Sequence, residues 1–138
     1  RRAAKFGIPS VYLRTYADFM GAPPGWTWHE SIEVDGVTYS HGEGFSGPLG
    51  ALKCAQANMG PVVIGHLHSY AGVLFNANPK FLFWGLNAGC LIDRHAYAFA
   101  YAKNSPAKPI LGCGVVRGGV PTFVPMNLDK AGRWTGGL

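Results

Sequence analysis

The chain has 138 residues, 48% of them hydrophobic, which is enough to bury a core and fits a single unit spanning 1–138. Only 14% are charged, against about 25% in average soluble domains, and no apolar stretch approaches the roughly 18 residues of a membrane span. The net charge of +5 comes from Lys and Arg scattered between Arg1 and Arg133, which argues against a nucleic-acid face, while a mild positive field favours an anionic substrate such as a phosphate ester.

In chain order, Gly21 to Trp28, with Pro23-Pro24, reads as a loop. Ser31–Asp35 and Val37–His41 are period-2 runs meeting at Asp35-Gly36, a type I′ hairpin signal, and the second strand ends on His41. A Gly-rich turn leads to a helix expected from Pro48 to about Asn58. Leu49, Leu52 and Met59 lie near its apolar face, and Gly60 stops it. Pro61–Gly65 is a short apolar strand expected to be buried on both sides. It runs straight into His66 and His68.

Tyr70–Phe75, Phe81–Leu86 and Ile110–Val116 read as strands, and Val120–Val124 pairs back across Arg117-Gly118-Gly119. Ala96–Lys103 is ambiguous between strand and helix, and the Gly-rich tail from Asp129 to Leu138 is expected at the periphery. The aromatics Phe81, Phe83, Trp84, Tyr97, Phe99 and Tyr101 are expected in the core, since no basic residues interleave them. Cys54, Cys90 and Cys113 are far apart and outside any C-x-x-C pattern, so they are read as buried, reduced thiols. The expected compartment is the cytoplasm. The chain opens on Arg1 rather than Met, which leads us to expect a longer reading frame or processing.

The histidines carry the functional signal. In extended backbone, side chains at i and i+2 point the same way, so His66 and His68 can face one ion. His41 and this pair stand at the C-terminal ends of two strands separated by a helix. If those strands are neighbours, the three imidazoles meet at the sheet edge where ligands of open α/β sheets bind. The bland alternative has one histidine of the pair capping backbone groups and the other exposed. Glu43 either orients a ligand histidine or is a solvated turn residue. His29, between Trp28 and Glu30, is expected in a surface or loop-packing role, and Asn87 is expected to bond backbone near the site.

The ordered set Val-Thr-Tyr-Ser-His-Gly (37–42), Gly-His-Leu-His-Ser (65–69) and Leu-Asn-Ala-Gly-Cys (86–90) resembles the calcineurin-like metallophosphoesterase family, with phage-type members closest in flavour. The resemblance runs from Val34 to Val124 and implies an α/β fold, the C-terminal half of a β-sandwich flanked by helices with a mixed sheet. It implies two divalent metals (Mn, Fe, Zn or Ni), with His41 and His66 on the second and His68 on the first. The Asp-rich motifs of the family's first half have no counterpart upstream of His41. Asp93-Arg94-His95 spells Asp-x-His but follows Gly-His-Leu-His, so it is set aside as a decoy.

The expectation is a metal-binding portion of a phosphomonoesterase or phosphodiesterase acting in the cytoplasm, or in a host's cytoplasm if phage-encoded. It is inactive until an Asp-rich N-terminal half, separate or upstream, or a second copy complements it, and alone it binds at most one ion weakly. The competing reading is a non-catalytic, metal-stabilised or structural module of the same fold.

Overall fold

A computed structural model describes residues 6, 7, 9, 14–92 and 106–136 of the chain. It is a mixed α/β protein. A short helix, α1 (Tyr16–Met20), opens the described part, its first turn closed by a capping box in which Thr15 and Asp18 exchange side-chain to backbone hydrogen bonds. The strands β1 (Ser31–Val34) and β2 (Val37–Ser40) form the expected hairpin. Asp35 and Gly36 take φ of +50° and +73°, as a type I′ turn requires.

Helix α2 (Gly50–Asn58) then crosses to β3 (Val62–Ile64), followed by β4 (Gly72–Ala77) and β5 (Leu82–Asn87). These five strands make one sheet in the order β1-β2-β3-β5-β4. The central pairs β2/β3 and β3/β5 are parallel, and the outer pairs are antiparallel. A second hairpin, β6 (Gly112–Arg117) and β7 (Val120–Pro125), turns at Gly118-Gly119.

Two core layers lie on opposite faces of the sheet. Val62 and Ile64 pack with Ala51, Cys54 and Ala55 of α2, joined by Phe45, Leu67 and Phe83. Val37, Trp84 and Leu86 pack on the other face with Tyr39, Val63, Val73, Val116 and Phe123, so the β6–β7 hairpin covers that side. Val62, Ile64 and Leu86 are the largest fully buried side chains, each stabilising the fold by roughly 1.5–3 kcal/mol through burial.

Several expectations change. The face of α2 that meets the sheet consists of Gly50, Ala51, Cys54 and Ala55, while Leu49 and Met59 are 48% and 78% exposed. The reason is distance. A Cβ on Gly85 would collide with the backbone of Ala51, so helix and strand pack backbone to backbone and admit only small residues. The helix ends on Met59, which takes the left-handed conformation at φ +52° one residue before Gly60. Phe81 is 54% exposed rather than core, because the turn in which Asn78 accepts from the Lys80 and Phe81 amides carries it outward. Of the three free cysteines only Cys54 is buried; Cys90 is half-buried and Cys113 exposed. Cys113 sits on the outer side of β6, whose inner side is made by Gly112, Gly114 and Val116. Asp93, His95, Tyr97, Phe99, Tyr101 and the segment 96–103 lie outside the described residues. Among the described residues no helix is long and apolar enough to cross a membrane.

Candidate functional site

The parallel neighbours β2 and β3 end on the same side of the sheet, and each releases a histidine there. His41 directly follows β2, and His66 stands two residues beyond β3. Gly42 makes the approach possible. Its φ is +88°, and a Cβ there would come within 2.8 Å of the Ile64 Cβ. Only glycine lets the chain after His41 lie against the last residue of β3. As a result, His66 Nδ1 stands 2.9 Å from His41 Nε2, the rings meeting edge to face at 75° with centroids 4.7 Å apart. One nitrogen carries the proton and donates while the other offers its lone pair.

The Gly65–Ser69 loop is fastened from several sides. Leu67 turns inward to the helix-side core, leaving His66 exposed and His68 half-buried. The Leu67 carbonyl accepts from the buried Asn87 side chain at 3.1 Å, and the Asn87 oxygen accepts from the Gly89 amide at 3.4 Å. Asn87 therefore bonds backbone beside the histidines, as expected from the sequence. The Ile64 carbonyl accepts from the Ala88 amide and the His68 carbonyl from the Ile110 amide, at 2.9 and 2.8 Å.

The two rings are hydrogen-bonded to one another at 2.9 Å, and no group of three or more His, Cys, Asp or Glu able to hold an ion occurs among the described residues. His68 is thus on the same loop but outside the close pair. Glu43 lies exposed in the turn after His41 and makes no hydrogen bond to either ring among the described residues.

A cleft of about 530 Å³ opens beside His41, lined by His29, Glu30, Ile32, Tyr39 and Glu43. His29 is braced by the Thr27 hydroxyl at 3.0 Å. The β1–β2 pairing ends at Ser31 opposite Ser40, so Glu30 precedes and His41 follows the paired residues at this end of the hairpin. Cys54 and Cys90 stand outside this arrangement. Burial pushes both thiols above their usual pKa, opposed in part by the Asn58 side chain at Cys54 and the Ile92 backbone at Cys90.

No family model matches the chain, and no curated protein or solved structure is significantly similar to it.

Proposed function

We propose that this chain is the imidazole-bearing part of a two-metal phosphoesterase, the C-terminal half of a metallophosphoesterase sandwich that hydrolyses phosphomonoesters or phosphodiesters. The observation that supports it is the 2.9 Å approach of His41 Nε2 and His66 Nδ1 just beyond the ends of two adjacent parallel strands, which brings two imidazole nitrogens within reach of one ion. His41 and His66 would hold one ion and His68 the other. A divalent pair, when bound, supplies Lewis acidity to the phosphoryl oxygens and acidifies water. Asn87 keeps the ligand loop in place through the Leu67 carbonyl, and Glu43 orients His41 once the site is filled. In the reaction the water oxygen bonds to phosphorus, the phosphorus–oxygen bond to the alcohol breaks, and the alcohol leaves with a proton.

The family's Asp-rich motifs have no counterpart upstream of His41, so the bridging carboxylates are proposed to come from a complement: an Asp-rich N-terminal half, as a separate chain or a neighbouring segment, or a second copy. Without it the chain holds at most one ion weakly and is inactive. The second reading is a metal-stabilised or structural module of the same fold without catalysis. Manganese titration and hydrolysis of an aryl phosphodiester, with the chain alone and with an Asp-rich complement, test both. Hydrolysis that appears only with the complement and disappears in His66→Ala supports the enzyme; manganese binding without hydrolysis under any complementation supports the module.

A further inference from the structure

The two segments that carry the histidines converge on one buried residue, Gly50, the first of α2. A Cβ there would stand 2.5 Å from Leu67 Cδ1 and 3.6 Å from the carbonyl carbon of Phe45. Phe45 lies in the segment that leaves His41, and Leu67 sits between His66 and His68; both side chains pack on the same core cluster as α2. Gly50 is not among the residues with positive φ, so the missing side chain serves the approach of Leu67 rather than a turn. Leu67 is also held at its other end. Its carbonyl accepts from the Asn87 side chain at 3.1 Å and from the Tyr70 amide at 3.3 Å. With the carbonyl tied and the side chain seated on Gly50, the peptides leading to His66 and His68 have little freedom to tilt.

We propose that Leu67, seated on Gly50, is the positioning residue of the histidine pair: its packing holds the His66 ring against His41, and filling the seat parts the two rings. The bearing of this role on function rests on the metal-site reading of the pair, but the ring contact itself is measurable without metal.

Gly50→Ala in the full, metal-free chain is the direct test. Alanine is the better helix former, so a glycine without this role predicts no change at the histidines. The expected result is loss of the cross-peaks between the His41 and His66 ring protons, and of the imidazole nitrogen resonances that mark one donor and one acceptor. Gly50→Ala combined with Leu67→Val, which removes about the volume that alanine adds, should restore both. Leu67→Ala, which empties the seat from the other side, should loosen the same contact and serves if Gly50→Ala does not fold. Cys54→Ala, a vacancy in the same core cluster, should leave the contact intact. In manganese titration the affinity should fall about tenfold in Gly50→Ala and return in the double variant. Ring contact unchanged in Gly50→Ala, not regained in the double variant, or lost equally in Cys54→Ala overturns the proposal. Ring contact that follows the seat in a chain that takes up no manganese supports the positioning role and overturns the metal-site reading alone.

Discussion

Gly85 of β5 and Ala51 of α2 touch through their backbones: a Cβ on Gly85 would strike the Ala51 carbonyl group. The partner is backbone within a nine-residue helix, so it cannot rotate away as a side chain would. Gly85→Ala should therefore destabilise the chain by about 2–3 kcal/mol, the cost of overpacking a close-packed layer. Urea denaturation measures it; a midpoint unchanged from the parent chain would contradict the backbone-to-backbone contact.

Met59 predicts the opposite sign. It is exposed and held at φ +52° at the end of α2, a conformation costing roughly 1–2 kcal/mol for a side-chain-bearing residue. Met59→Gly relieves that strain at some expense in backbone entropy. We expect a net gain of about 0.5–1 kcal/mol, visible as a higher thermal midpoint.

The histidine pair predicts a separation of binding from stability. His41 and His66 are exposed, so His41→Ala and His66→Ala should each alter the stability of the metal-free chain by less than about 1 kcal/mol. Each should lower manganese affinity at least tenfold, and the double variant should lose little more than either single one, because one ion needs both nitrogens. Strictly additive losses in isothermal titration would show that the two rings bind independently.

Asn87 is buried, and its two hydrogen bonds end on backbone groups of the ligand loop and the β5 exit. Asn87→Leu should cost about 1–3 kcal/mol, since the Leu67 carbonyl loses that donor. Manganese affinity should fall with it. Affinity that holds while stability drops would separate the anchor from the site.

Burial raises the pKa of Cys54 and of Cys90. A raised pKa means that the folded chain keeps its proton where the unfolded chain has lost it. These thiols therefore contribute stability that is fully present below the ordinary thiol pKa of about 8.5 and is lost as pH rises through the folded values. Stability measured from pH 8 upward should decline, and Cys54→Ala should flatten the decline. Iodoacetamide should label the exposed Cys113 first and Cys54 last.

How much of this could be read in the sequence depended on where the signal lay. Asp35-Gly36 marks its own turn, because few residue pairs accept two positive φ values, and the hairpin register followed from it. The inward turn of Leu67 was not readable: strand parity would set it with Val63, but β3 ends at Ile64 and Leu67 packs on the Val62 and Ile64 face. The buried face of α2 was not readable, since Leu49 and Met59 look like core residues until Gly85 is known to lie beneath Ala51. That contact joins residues 34 positions apart, and no local pattern encodes it. His29 stands as expected, exposed and bonded to the Thr27 hydroxyl within its own loop.

Strand β3 has three residues and pairs in parallel on both sides, with residues 38–40 and 85–87. It can form neither pairing until a crossover has closed, so His41 and His66 meet only once the centre of the sheet is assembled. Opening of this region and dispersal of the histidine pair are then one event. An ion held there should slow hydrogen exchange across β2, β3 and β5 together, while the β6–β7 hairpin exchanges on its own schedule.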